Sequence, residues 1–199
     1  MFYLGLDLGQ KRDHSAVVVV ERIDHRRAFQ GTAFEKLLVR YVERMPLGMP
    51  YPRIVERVKE IVRCGELDGN CALAVDATGV GAPVVDMLRA ARLGCDLTPV
   101  VITGGERGVS RWSVPKRDLM AEVQVMLENG QLRVGRLKET GRLVRELVDM
   151  KRSVNATGRV RMGADGYGEH DDLVIALALA CWRAKRRVNG EVTFRLPGI

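Results

Sequence analysis

The sequence predicts an α/β protein in which a mixed central β-sheet carries helices on its faces. Three observations predict this class. The first 45 residues contain three strand-like segments rich in β-branched and large apolar residues, residues 52–150 alternate between helical and strand-like segments, and residues 173–182 form an almost wholly apolar closing helix. A meander of strands that runs into βα units gives a mixed sheet with helices packed on it.

The three predicted strands of the meander come first. The segment FYLGLDLG is alternating and apolar and ends as a strand near Asp7, and AVVVVERI forms a second strand after the turn GQKRDHS. The segment FEKLLVRYVERM fits either a helix or a strand by its period, and we favour a third strand because hairpins precede it. Three prolines in PLGMPYP then break the pattern.

Helices and strands alternate through the remainder of the chain. The first of these helices is amphipathic and ends at a glycine. The basic segment KRSVNATGRVRMGADG is predicted to be a small extra β-hairpin before the last helix. The predicted elements are a helix at 52–65, a strand at 71–76, a helix at 82–94, a strand at 97–103, a helix at 114–130, a strand at 131–135, a helix at 136–150, the hairpin at 151–166 and the closing helix from 171.

The composition is that of a soluble globular protein, which we expect to be a single domain over residues 1–199. Apolar residues make up 46% and charged residues 29%, no run approaches the length of a membrane span, and the first residues lack the basic segment of a signal peptide. Four cysteines form no CxxC pair, which favours reduced thiols in a cytoplasm. Residues 185–199 are expected to be an exposed tail.

The positive charge of the chain lies mainly in its second half. The net charge is +7, and residues 101–199 carry 18 Lys and Arg against 12 Asp and Glu, whereas residues 1–100 carry 14 against 13. A basic half on a folded domain favours a polyanionic partner, most simply nucleic acid. An ordinary solvated basic surface is the alternative.

Four aspartates lie where α/β folds build their sites. Asp7 and Asp76 end predicted strands, and Asp171 and Asp172 begin the closing helix. Because sites form outside the carboxyl ends of buried strands, we expect the carboxylates of Asp7, Asp76 and Asp172 to converge at one edge of the sheet. Helix capping and turn formation are structural alternatives for an aspartate. Neither explains a carboxylate inside the apolar strand that contains Asp7.

Clustered carboxylates need positive charge between them. Mg²⁺ binds a few carboxylates together with water and phosphate oxygens, and two such ions about 4 Å apart serve phosphoryl chemistry. The pattern therefore predicts a site for two Mg²⁺ or Mn²⁺ ions. His170 stands directly before the aspartate pair, where it is a metal ligand, a residue that orients a ligand, or an ordinary loop residue.

Four blocks of the sequence together resemble the nuclease domain of the large terminase subunits of tailed bacteriophages. They are YLGLDLGQKRDHSAVVVV, LAVDATGVGAPVVDML, VPKRDLM and GEHDDLVIALALA, in the family's order over about residues 2–183. Many ribonuclease-H-like proteins share the first block, whereas the combination with the HDD helix is more specific. The resemblance implies a ribonuclease-H-like fold and a two-metal endonuclease that cuts concatemeric viral DNA during genome packaging, in the cytoplasm of a bacterial host. It also implies double-stranded DNA, an ATPase motor domain, a small terminase subunit and a portal as partners.

The resemblance assigns roles to individual residues. Asp7, Asp76 and Asp172 match the acidic triad of the family, and Asp171 and His170 match accessory positions at the metals. Basic residues match positions near the nucleic acid, although a solvated helix start explains the first of them equally well. These candidate DNA contacts are Lys116 in VPKRDL and Lys151, Arg152, Arg159 and Arg161 in the predicted hairpin.

The chain departs from the family pattern in one respect, because it contains no GxxxxGK[ST] phosphate loop and therefore no ATPase domain of that kind. Three alternatives stay open. A RuvC-like Holliday-junction resolvase shares the fold and a similar acidic set. An actin- or sugar-kinase-like ATPase would use GLDLGQ and DATGVG as phosphate loops but needs two such domains. A non-catalytic DNA-binding module would retain the fold without needing all three aspartates.

Overall fold

A computed structural model of the chain describes residues 1–9, 13–26, 33–79, 81–105, 112–157 and 171–186. Strands and helices follow one another largely as predicted. In chain order they are β1 (Phe2–Asp7), β2 (Ala16–Arg26), β3 (Ala33–Arg44), α1 (Tyr51–Val62), β4 (Cys71–Asp76), α2 (Gly81–Ala90), β5 (Asp96–Thr103), β6 (Ser113–Pro115), α3 (Lys116–Glu128), β7 (Leu132–Val134), α4 (Thr140–Thr157) and α5 (Asp172–Lys185).

The described strands form one mixed sheet in the order β6-β5-β4-β1-β2-β3-β7. The meander β1-β2-β3 is antiparallel. On one side β4, β5 and β6 add in parallel to β1, and on the other side β7 adds in parallel to β3. This arrangement confirms the predicted mixed sheet with its antiparallel meander and βα units.

Helices cover both faces of the sheet because neighbouring side chains of each buried strand point to opposite faces. One face packs on α1 and α2 through residues such as Leu4, Leu6 and Leu73. The other packs on α3, α4 and α5 through smaller residues that include Ala16, Ala72 and Ala74. Small side chains on this second face let α5 come close to the sheet.

The closing helix α5 is enclosed between the sheet and two other helices. It contacts β1, β2 and β4 on one side and α3 and α4 on the other, so that every residue from Asp172 to Ala184 is buried. Gly5 of β1 marks the closest approach, because a Cβ built there would lie 1.8 Å from the carbonyl oxygen of Ala176. This enclosure explains why the helix is apolar all round.

The structure corrects one predicted element. The segment that begins the predicted basic hairpin is helical, since α4 continues to Thr157 and contains Lys151 and Arg152. The spacing of Leu147, Met150 and Val154 carries the helical period through these basic residues. The prediction of a hairpin is therefore wrong for residues 151–157, and its remainder lies outside the described residues, as do residues 187–199 of the predicted tail.

Two further features differ from the prediction in detail. The short strand β6 was expected as part of the helix that follows it, and β7 lies at the far edge of the sheet beside β3. Strands of three residues carry little pattern of their own, so their partners decide where they pair. Among the described helices, none combines the length and apolar character that crossing a membrane requires.

Candidate functional site

A row of neighbouring residues that includes three charged side chains crosses the sheet at the level where β1 and β4 end. The parallel register of these strands leads directly to Asp7 and Asp76, which lie side by side. From Asp7 the row continues through Ala16 of β2 to Arg44 at the end of β3. Because side chains alternate between the two faces of a strand, Asp7, Asp76 and Arg44 point to the face that α5 covers. The sheet thus presents two carboxylates and a guanidinium toward α5.

The first turn of α5 supplies two more carboxylates. Asp171 is the N-cap residue, yet its side chain makes no capping hydrogen bond and instead pairs with Lys116, whose Nζ lies 2.5 Å from Oδ2. Asp172 is buried, and its Oδ2 lies 3.3 Å from Nη2 of Arg44. This contact is an ion pair without the alignment of a hydrogen bond. Side-chain capping, the structural alternative for Asp171, is therefore wrong.

A residue from another helix caps α5. Oε2 of Glu146 on α4 accepts hydrogen bonds from the backbone N–H groups of Leu173, at 3.0 Å, and Val174, at 3.3 Å. The first N–H groups of a helix have no partner within it, and a carboxylate there also interacts favourably with the helix dipole. Glu146 thus caps the N-terminus of α5, whereas the side chain of Asp171 does not.

The electrostatics show that the aspartates interact. Burial, together with the negative charges of Asp76, Asp172 and Asp171, raises the pKa of Asp7 well above its ordinary value, against the opposing charge of Lys116. Burial also raises the pKa of Asp76, while hydrogen bonds from Thr78 and the charge of Lys116 lower it. The backbone N–H of Thr78 donates to Oδ1 of Asp76 at 2.8 Å, so the turn considered as a structural alternative is present.

The donor set is of the kind that a divalent cation prefers. The four aspartates offer only hard carboxylate oxygens as ligands, namely those of Asp7, Asp76, Asp171 and Asp172. The negative charges of the other three act against the ionised form of Asp7, and a bound cation would offset that repulsion. As the side chains stand, no three His, Cys, Asp or Glu residues of the described ranges are grouped closely enough to hold a metal ion. The carboxylates therefore face one another at electrostatic range, and the residues fit a cation by their chemistry.

The predicted site residues fall into three groups. Asp76, Asp171 and Asp172 lie near enough to Asp7 for their charges to act on it, and Lys116 is paired to Asp171. Lys151 and Arg152 belong to α4, and their side chains lie outside the described part of the chain. The remaining candidates fall outside the described residues altogether, namely Arg159, Arg161 and His170.

Sequence reasoning missed Arg44 and Glu146. Arg44 is the last residue of β3, and Glu146 lies within α4. One signal was available for Glu146, because it stands three residues after the buried Leu143 and one before the partly buried Leu147, on the inner side of α4. A charge on an apolar stripe needs a partner, and the partner here is the start of α5.

Comparisons with solved structures identify the fold. The large terminase nuclease of the thermophilic phage G20c with bound cobalt matches with a TM-score of 0.59 and 25% identity over 92% of this chain and 81% of that chain. The same nuclease with bound zinc matches with a TM-score of 0.55 and 23% identity over 90% and 79%. The large terminase nuclease domain of bacteriophage SPP1 with bound manganese gives 0.57 and 14% over 92% and 86%.

These matches show that the chain has the ribonuclease-H-like fold of the terminase nuclease domains, as the resemblance implied. No family model matches the sequence, and no curated protein does. The likeness to known proteins thus rests on the arrangement of the elements.

Proposed function

We propose that the chain is a divalent-metal-dependent DNA endonuclease that hydrolyses phosphodiester bonds with two Mg²⁺ or Mn²⁺ ions. Its biological role in this proposal is to cut concatemeric viral DNA, which consists of repeated genome lengths, during packaging. The observation that carries the proposal is that Asp7 lies beside Asp76 at the ends of β1 and β4, near the first turn of α5, where burial and then the like charges of the other aspartates raise the pKa of Asp7. The bound cobalt, zinc and manganese of the neighbouring nucleases support it.

Each aspartate has a part in this chemistry. Asp7, Asp76 and Asp172 would hold the ions, with Asp171 and His170 as accessory ligands. Bound ions of this kind supply an activated water and stabilise the charge of the leaving oxygen. Asp7, whose ionised form is disfavoured by its surroundings, would be neutralised by a cation rather than by a proton. The sheet edge and the enclosed start of α5 keep the carboxylates oriented.

Lys116 has two partners in this scheme. Its ammonium pairs with Asp171 in the structure and lowers the pKa values of Asp7 and Asp76. It thus supplies positive charge to the acidic cluster. With cations in place the ammonium would be released toward a phosphate of the DNA, since Lys binds phosphates as a point charge.

The DNA would lie along the basic second half of the chain. Lys151 and Arg152 on α4, together with Arg159 and Arg161, are proposed to contact phosphates rather than bases, which gives affinity without sequence preference. In the packaging machine this single nuclease domain would work with an ATPase motor, a small terminase subunit and a portal. The fold and the basic second half of the chain support a nucleic-acid partner.

Plasmid cleavage tests the proposal. The purified protein should nick or linearise supercoiled plasmid with Mn²⁺ or Mg²⁺ and should be inactive in EDTA. Asp76→Asn should lower the rate by at least about a hundredfold, because it removes a charge that holds the ions. Asp86→Asn is the matched control, since Asp86 is an exposed aspartate of α2 that forms a surface ion pair with Arg89.

The outcomes separate the alternatives. Equal activity of Asp76→Asn and Asp86→Asn would remove Asp76 from the site. DNA binding without metal and without any cleavage would favour a non-catalytic binding module. Cleavage confined to four-way junctions, with linear and supercoiled DNA left intact, would favour a junction resolvase.

A further inference from the structure

Two side chains hold the first turn of α5 from behind the aspartates. Glu146 accepts hydrogen bonds from the backbone N–H groups of Leu173 and Val174, the two residues that follow Asp172. Arg44 contacts the carboxylate of Asp172 from the end of β3. One side chain therefore fixes the main chain beside Asp172, and the other fixes its carboxylate.

The surroundings of these two residues make the contacts specific. The side chains of Arg44 and Asp172 are only 10% and 7% exposed. Oε1 of Glu146 is buried and has no hydrogen-bond partner among the described residues, and the positive charge of Arg44 acts on the same carboxylate. In so enclosed a place the guanidinium of Arg44 attracts the carboxylates of Asp172 and Glu146, which repel one another, and these charges are screened little by water.

We infer that Glu146 and Arg44 are positioning residues that set the orientation of Asp172 toward the bound cations, so that metal affinity depends on two side chains that touch no metal. This inference rests on the proposed function, because it takes Asp172 to be a ligand. Groups that orient metal ligands typically contribute tenfold to a hundredfold to metal affinity. The same size of effect is expected here.

Substitutions at Glu146 separate the reach of its side chain from its charge. Glu146→Gln keeps an acceptor oxygen at the same distance and removes the charge, whereas Glu146→Asp keeps the charge on a side chain one methylene shorter. If the cap positions Asp172, Glu146→Gln should bind Mn²⁺ nearly as the wild type does, and Glu146→Asp should bind it about tenfold more weakly. The readout is Mn²⁺ binding by electron paramagnetic resonance, without DNA.

Arg44→Gln tests the other contact and should also weaken Mn²⁺ binding about tenfold. Arg40→Gln is its control, because Arg40 lies four residues earlier on β3 and pairs with Glu21 at the surface. In cleavage assays the Mn²⁺ concentration needed for half-maximal rate should rise in Glu146→Asp and Arg44→Gln. The maximal rate at saturating Mn²⁺ should change much less.

Amide hydrogen exchange in EDTA tests the cap without any metal. The amides of Leu173 and Val174 should exchange faster in Glu146→Asp than in Glu146→Gln.

If the wild type binds no Mn²⁺, the proposed function fails, while the exchange data still test the cap. If the wild type binds Mn²⁺ and Glu146→Asp binds it equally well, the positioning role is overturned. Weaker binding in Glu146→Gln than in Glu146→Asp would overturn it as well, because the charge of Glu146 rather than its reach would then matter. Tighter binding in Arg44→Gln than in the wild type would overturn the role of Arg44, because Arg44 would then compete with the ion.

Discussion

Gly5 is the point at which β1 touches α5, and Gly5→Ala perturbs both the core and the acidic cluster. The added Cβ would lie 1.8 Å from the carbonyl oxygen of Ala176 and 2.7 Å from the backbone nitrogen of Ala180. Carbon atoms in contact normally stand about 3.5 Å or more from their neighbours. Because the obstacle is helix backbone, α5 itself would have to retreat by about 1.7 Å to restore a normal contact distance.

The energetic cost follows from this geometry. Overpacking a core usually costs about 1–3 kcal/mol, and we expect Gly5→Ala to lie at the upper end, near 3 kcal/mol, because no flexible side chain can yield. For a chain of this size that corresponds to a fall in Tm of about 6–12 °C. The retreat of α5 would also carry Asp172, one turn before Ala176, away from Asp7. Mn²⁺ binding should therefore weaken at temperatures where the variant remains folded.

Gly141→Ala is the matched control. Gly141 lies in the first turn of α4, with nothing within 4 Å of the added Cβ, so replacing glycine by alanine in a helix should raise stability by about 0.5–1 kcal/mol. Urea unfolding followed by circular dichroism measures both variants. A Gly5→Ala variant as stable as Gly141→Ala would refute the close packing of α5 on β1.

Further predictions concern pH, salt and the replacement of Asp76. Burial raises the pKa of Glu146 from 4.5 to about 7. Between these values the folded protein keeps a proton that the unfolded chain has lost, so in EDTA the free energy of unfolding should fall as pH rises from about 4.5 through 7, by at most about 3 kcal/mol. Glu146→Gln should flatten that part of the profile, and an unchanged profile would assign it to other groups. Binding to random-sequence duplex DNA should weaken steeply between 50 and 200 mM salt if Lys and Arg contact phosphates, on the order of a hundredfold or more, and a flat response in fluorescence anisotropy would count against the basic half as the DNA face. Asp76→Asn should bind DNA with wild-type affinity while losing cleavage, and joint loss of both would point to misfolding.

The strands and most helices were predictable because their patterns are local. Five consecutive apolar residues at Ala16–Val20 indicate a buried strand wherever it lies in the sheet. The unbroken apolar run from Leu173 to Trp182 in the closing helix indicates burial on all sides. Asp7 was also visible, as a charge at the end of an apolar strand. Such features depend on the sequence of one segment alone.

What the sequence did not reveal depends on contacts between distant segments. Arg44 stands beside Asp172 only because the meander register carries one row from Asp7 across to the end of β3. Glu146 caps α5 only because α4 crosses its first turn. The helical extension through Lys151 was missed although the apolar spacing of Leu147, Met150 and Val154 continues into it.

We propose that Asp7, Asp76 and Asp172 together bind divalent cations, and the sharpest test of this is a crystal structure of the protein soaked in Mn²⁺. Anomalous density for manganese is expected between the ends of β1 and β4 and the first turn of α5, with carboxylate oxygens of all three residues about 2.0–2.3 Å from an ion. Lys116 should then have left Asp171. Manganese bound elsewhere, or an acidic cluster without manganese at saturating concentration, would contradict it.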